Sequence, residues 1–145
     1  MVEINNLTAR RIDEGFLKKI AREILEKEGR SGLDSEDFLS VAVVGPKRMQ
    51  ELNGLYRKKM TPTDVLAFAE PEGSNILGEV VICPAVAEKN AKRYGVCFGK
   101  EMARILIHGI LHLLGYDHEK SRKEAELMQK KELYYLSKIE RFKLL

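Results

Sequence analysis

One stretch, HGILHLLGYDH at residues 108–118, constrains this chain more than any other, because it contains all three of its histidines. The apolar residues around His108 and His112 predict a helix from about Lys100 to Leu114, with these two rings one turn apart on one face. Gly115 predicts the end of that helix, as the left-handed residue that commonly follows the last turn. A chain that reverses there can bring His118 back toward the other two rings.

The spacing of these histidines is typical of a metal site. Three neutral imidazoles leave a fourth coordination position open, as in a catalytic zinc site, although nickel and cobalt accept the same ligands. The pattern differs from the H-E-x-x-H-x-x-G-x-x-H of zinc proteases at Gly109, where those enzymes have a general-base glutamate. The alternative is three ordinary core or surface histidines on an amphipathic helix. Asp117 either hydrogen-bonds a ligand ring or caps the next helix.

The remaining periodicities predict the element order βαβαββααα and hence an α/β (α+β) fold. We expect a single small domain over residues 1–145, with one mixed, mostly four-stranded sheet and helices packed against it. The metal site then lies on a helix of the C-terminal half and the turn after it. The predicted strands are residues 2–8, 38–45, 64–69 and 77–83, and the predicted helices begin near Ile12, Pro46, Pro84, Lys100 and Lys120. We expect glycines to end helices or strands at Gly29, Gly73, Gly95 and Gly115. The apolar face of the second helix is predicted at Met49, Leu52, Leu55 and Tyr56. The apolar face of the last helix is predicted at Ala125, Met128, Leu136 and Ile139.

Composition limits the function classes only broadly. The hydrophobic fraction is 44%, the charged fraction 32% and the formal net charge +3, which permits an anionic partner without requiring one. Cys83 and Cys97 form no CxxC pattern, and we interpret them as buried thiols. The first residues lack the apolar stretch of a secretion signal, and the apolar stretch at 105–116 is too short to span a bilayer. These features favour a cytoplasmic protein with no membrane partner.

Two further segments, LNGLYRKKMTPTDVLAFAE at residues 52–70 and LGEVVIC at 77–83, complete a specific set with the histidine pattern. Together they resemble the YbeY family of bacterial endoribonucleases over most of the chain. The resemblance implies a compact α/β domain that binds one zinc ion per chain through His108, His112 and His118. It also implies cleavage of single-stranded RNA, in 3′-end maturation of small-subunit ribosomal RNA and in ribosome quality control, with no DNA substrate expected. Ala67 and Ala69 depart from the family, in which serine and proline are common there.

The same resemblance implies that Arg57 is a catalytic residue. An arginine suits that role because its planar guanidinium can hold a phosphate through two hydrogen bonds while negative charge develops. Lys58, Lys59 and Arg104 are further candidates for RNA contact, although each is also a plausible surface charge. Tyr56 can stack on a base, but its spacing from Leu52 favours core packing.

Two other function classes remain open from the sequence. A zinc peptidase would need Glu70 or Glu79 to serve as the base that position 109 lacks. A ribosome-assembly factor would use the metal to hold the fold and would bind RNA without cutting it. The sequence assigns no general base to the nuclease either.

Overall fold

The computed structural model describes residues 1–28, 38–59, 61–71 and 76–143, and these form four strands and five helices in the predicted order. The strands are β1 (Val2–Asn6), β2 (Phe38–Val43), β3 (Val65–Ala69) and β4 (Ile76–Ile82). The helices are α1 (Glu14–Lys27), α2 (Pro46–Arg57), α3 (Pro84–Tyr94), α4 (Phe98–Leu113) and α5 (Arg122–Lys143).

Short local signals set several of these boundaries. Pro46 and Pro84 are the first residues of α2 and α3, where the missing N–H of proline is harmless. Gly95 ends α3 in the left-handed conformation, with a φ of 67°. These three predictions are confirmed. The stops predicted at Gly29 and Gly73 lie outside the described residues.

The four strands form one mixed sheet in the order β1-β2-β4-β3. β1, β2 and β4 run parallel, whereas β3 lies at the edge and pairs with β4 in the antiparallel direction. The predicted mixed, four-stranded sheet is therefore confirmed. Strand residues alternate between two cores, because successive side chains point to opposite faces. Val80 and Ile82 belong to the larger core with α1, α4 and α5, and Val81 belongs to the smaller core beside α2.

Helix α4 lies at the centre of the larger core and contacts α1, α3, α5, β3 and β4. Most of its residues are buried, which is expected for a helix that is apolar nearly all round. The polar residues Arg104, His108 and His112 are spaced by four and so share its remaining face. Helix α4 is therefore packed against other elements except on the face that carries the histidines.

Two packing predictions are wrong. Leu55 and Tyr56 are 73% and 64% exposed, and Asn53 is buried on α2 instead. The end of α2 lies at the edge strand β3, where Tyr56 contacts Phe68. Since the sheet ends there, it does not cover the last turn of α2. Asn53 is buried because its amide donates to Thr61 O at 2.7 Å, which ties the chain after α2 back onto the helix.

The cysteine prediction is correct for one thiol only. The two cysteines form no disulfide with each other, and Cys83 is buried directly after β4. Cys97 is exposed, because it occupies the N-cap position that precedes α4. Among the described residues, no helix combines the length and apolar composition that crossing a membrane requires.

Candidate active site

The turn after α4 brings the histidine segment back on itself. Gly115 has a φ of 103°, and two hydrogen bonds close the turn: Gly115 N donates to His112 O and Tyr116 N donates to Leu111 O, both at 3.1 Å. This bonding is the Schellman motif, and it confirms the predicted helix stop. The reversal leaves the rings of His108 and His118 with their centroids 5.4 Å apart.

Glycine at position 109 is explained by the packing of α4 against the sheet. A Cβ atom added to Gly109 would lie 2.7 Å from Cγ1 of Val80 and 3.2 Å from Cγ2 of Val65. A separation of 2.7 Å is closer than real Cβ atoms come to other heavy atoms, so α4 or the two valine side chains would have to shift. The helix therefore requires glycine here, and the position has no space for the glutamate of a zinc protease.

One cleft of about 550 Å³ gathers the three histidines with Arg57 and Arg104. Its walls come from the end of α2, from β3 and from α4 with its following turn. Lys58 and Lys59 are exposed and stand outside the described lining. The lining includes Tyr56, Arg57, Asp64, Phe68, Arg104, His108, Gly109, His112, His118 and Glu119.

The donor set fits a transition metal by its chemistry. His108 and His112 lie one turn apart on α4, and His118 faces the same cleft from the turn. His112 and His118 are exposed, so their rings can still change rotamer, and His118 Nε2 lies 3.9 Å from Oε1 of Glu119. In the described part of the chain, no three His, Cys, Asp or Glu side chains are already gathered closely enough to hold one ion. The three-histidine ligand set therefore stays a prediction.

Glu132 of α5 is a functional candidate that the sequence reasoning missed. Its Oε1 forms a short contact with Nδ1 of His108, so Nε2 is the nitrogen of that ring left to bind a metal. A carboxylate on the far ring nitrogen fixes the orientation of a ligand histidine and makes it more basic. The sequence feature that could have identified Glu132 is its position within the apolar stripe of α5, four residues after the buried Met128.

Asp117 does not cap α5, and its predicted bond to a ligand ring stays a prediction. Its Oδ1 accepts from Glu119 N at 2.9 Å, which shapes the turn locally. The cap of α5 is Ser121, whose hydroxyl accepts from Glu124 N at 3.1 Å. Short polar side chains commonly bond the backbone two residues ahead, and Asp117 does so here.

Arg104 is held by two carboxylates at the wall of the cleft. Its guanidinium lies 2.6 Å from the buried Glu101 and 3.4 Å from Asp64 of the β3 approach. Burial alone would lower the pKa of Arg104, but hydrogen bonding to Glu101 and nearby carboxylate charge raise it above its ordinary value. Asp64 therefore bonds across the cleft to Arg104. Contact of Arg104 with RNA stays a prediction.

A second polar cluster anchors the turn that carries His118. Glu28, at the end of α1, accepts from Tyr116 Oη at 2.7 Å and from Lys131 Nζ at 3.1 Å. Tyr116 lies in the turn and Lys131 in α5, so one carboxylate links three elements. This cluster limits how far the segment with His118 can move away from α4.

Comparison with known proteins places this chain in a family of nucleases. A family model described as Endoribonuclease YbeY matches residues 3–140. A protein named Endoribonuclease YbeY from Aquifex aeolicus is 40% identical, over 92% of this chain and 88% of that protein. Another with the same name from Carboxydothermus hydrogenoformans is 41% identical, over 94% of this chain and 96% of that protein. A solution structure of a Thermotoga maritima protein is similar with a TM-score of 0.68 and 33% identity, covering 96% of this chain and 89% of that one. The chain belongs to the YbeY family of endoribonucleases, as its motifs predicted.

Proposed function

We propose that this protein is a metal-dependent endoribonuclease that cuts single-stranded RNA during maturation of the 3′ end of small-subunit ribosomal RNA and in ribosome quality control. The observation that carries the proposal is that Arg57 and all three histidines line one open cleft. Family membership supports the reaction class. The proposed partners are single-stranded ribosomal RNA and the small ribosomal subunit.

His108, His112 and His118 are the residues that would hold the metal, and zinc is the ion that three neutral imidazoles with an open position suit best. A bound zinc would supply positive charge beside the scissile phosphate and make a nearby water more acidic. Glu132 keeps His108 turned toward the cleft through its contact with Nδ1. Glu28 restrains the turn with His118 through Tyr116.

Arg57 is proposed to bind the phosphate that is cut. It is exposed at the end of α2 on the opposite wall from α4, so its guanidinium can reach a phosphate held between the two walls. Cleavage concentrates negative charge on the phosphate oxygens, and an arginine in position beforehand stabilises that charge. Lys58 and Lys59 follow directly and would add attraction for the RNA backbone outside the cleft.

The peptidase alternative is weakened by the geometry. Gly109 leaves no space for a glutamate, and neither Glu70 nor Glu79 is among the described residues that line the cleft. Glu79 accepts a hydrogen bond from Ser40 Oγ at 3.1 Å on the sheet instead. Asp64 and Glu119 are the carboxylates that do line the cleft, and Asp64 is engaged with Arg104.

The test is cleavage of a small-subunit ribosomal RNA fragment with an unprocessed 3′ extension, using metal-analysed protein. His112→Ala and Arg57→Ala should abolish cleavage. Arg48→Ala is the matched control, because Arg48 lies on the same helix, is exposed and pairs only locally with Glu51. Equal cleavage by all four proteins would show a contaminating nuclease. RNA binding without cleavage by metal-loaded parent protein would favour the assembly factor, and digestion of casein would favour the peptidase.

A further inference from the structure

Two aromatic side chains stand at the outer wall of the cleft without a role in the proposed chemistry. Tyr56 is 64% exposed although its spacing suggested core packing. Its ring lies against Phe68 with the centroids 4.8 Å apart and the planes at 61°. An edge-to-face pair occupies at most one face of one ring, and Tyr56 is largely exposed, so at least one face of Tyr56 remains available to a ligand.

The position of the pair relative to β3 indicates how a substrate would reach it. Val65 and Ala67 face the larger core and α4, whereas Leu66 and Phe68 face the smaller core and α2. The histidines and the aromatic pair therefore lie on opposite sides of the edge strand, yet the same cleft includes both. A polynucleotide bound there would pass over β3, with a phosphate near Arg57 and a neighbouring base near Tyr56.

Phe68 supports the Tyr56 ring from the side of the sheet. It is half-buried and packs against the smaller core, so its ring is fixed from below while Tyr56 extends outward. Tyr56 also precedes Arg57 directly, so one turn of α2 presents an aromatic ring beside a cation. Cationic residues interleaved with aromatic rings bind single-stranded nucleic acids, since the cations contact phosphates and the rings stack on bases.

We propose that Tyr56, supported by Phe68, is a stacking platform for one unpaired base adjacent to the phosphate that is cut. A base in a duplex is already stacked on both sides, so the platform favours single-stranded RNA without reading its sequence. The inference deepens the proposed function, because it assigns the residue that distinguishes single-stranded from paired substrate.

Binding of short single-stranded RNA to the metal-loaded protein tests this independently of cleavage, with 2′-O-methyl and phosphorothioate groups throughout the RNA so that it is not cut. One oligonucleotide carries 2-aminopurine at a central position, and a second has an abasic site there. The chain contains no tryptophan, so changes in 2-aminopurine emission arise from the probe alone. Tyr56→Leu should weaken affinity for the first RNA by about tenfold and relieve its fluorescence quenching, as loss of one stacked base predicts. Affinity for the abasic RNA should not change, and Tyr56→Phe should behave as the parent does.

Tyr94→Leu is the matched control, because Tyr94 is also a tyrosine with 64% exposure but lies at the end of α3, outside this cleft. Equal weakening for both RNAs, or no weakening for either, would overturn the platform. So would an absence of RNA binding by the parent. If the parent binds in the base-dependent manner but never cuts unmodified RNA, the proposed function fails and the platform stands. Circular dichroism of Tyr56→Leu and Tyr56→Phe establishes that the variants are folded.

Discussion

Replacement of Gly109 by alanine tests the close approach of α4 to the sheet. In a helix interior, alanine is favoured over glycine by about 1 kcal/mol, so the change should stabilise the protein if space were available. The new Cβ would instead lie 2.7 Å from Cγ1 and 3.3 Å from Cγ2 of the fully buried Val80. Val80 is β-branched and cannot rotate away easily. Overpacking of this kind costs about 1–3 kcal/mol, occasionally more, and we expect it to outweigh the helix term.

The measurement is the free energy of unfolding from urea titration at neutral pH. Gly109→Ala should be less stable than the parent by up to about 2 kcal/mol, the overpacking cost minus the gain in helix propensity. Gly15→Ala is the control within α1, where an added Cβ meets only Asp13 Oδ1 at an ordinary 3.7 Å, and it should not destabilise. In a Val80→Ala background the cost of Gly109→Ala should shrink, since both Val80 methyl groups are gone and only Cγ2 of Val65, at 3.2 Å, still lies close to the added Cβ. An unchanged cost in that background, or a stabilised Gly109→Ala, would refute the packing argument.

Three further predictions concern the site and its supports. Glu132→Gln should weaken zinc affinity by about 10–100-fold in calorimetric titration, because the carboxylate on His108 Nδ1 is lost, and unchanged affinity would remove its assigned role. Arg57→Lys should keep the positive charge but lose the bidentate hydrogen bonding to phosphate, so its cleavage rate should fall between those of the parent and Arg57→Ala. A rate equal to that of the parent would show that charge alone suffices. Burial would raise the pKa of Glu28, but hydrogen bonds from Tyr116 and Lys131 together with Tyr135 lower the pKa below its ordinary 4.5. The stability that Glu28 contributes is therefore present above pH 4.5 and is lost as pH falls through the lowered pKa, so the urea midpoint of the parent should exceed that of Glu28→Gln at pH 7 and approach it at low pH. A gap that widens on acidification would contradict the sign.

Local signals made much of the fold predictable. The prolines that begin α2 and α3, the glycines that end α3 and α4, and the apolar runs between them each act within a few residues. The same holds for the histidine pair on α4, because helical spacing alone puts two rings on one face. These features need no knowledge of the rest of the chain.

The errors arose where distant segments decide the outcome. The exposure of Tyr56 depends on where the sheet ends, and the partner of His108 depends on how α5 crosses α4. Asn53 is buried because it bonds the chain that follows its own helix, although apolar residues stand nearby. From the sequence, Gly109 indicated only that the general-base glutamate is absent. The packing reason for glycine depends on Val65 of β3 and Val80 of β4, which are distant in sequence.

The most direct test of the proposed site is calorimetric titration of zinc into metal-free protein, comparing the parent with His108→Ala, His112→Ala and His118→Ala. If the three rings form one site, the parent binds one ion per chain. Each variant should then lose more affinity than the about 10–100-fold expected for removal of a residue that only orients a ligand. Full affinity in any one of the three variants would contradict a three-histidine site and with it the proposed metal chemistry of this cleft.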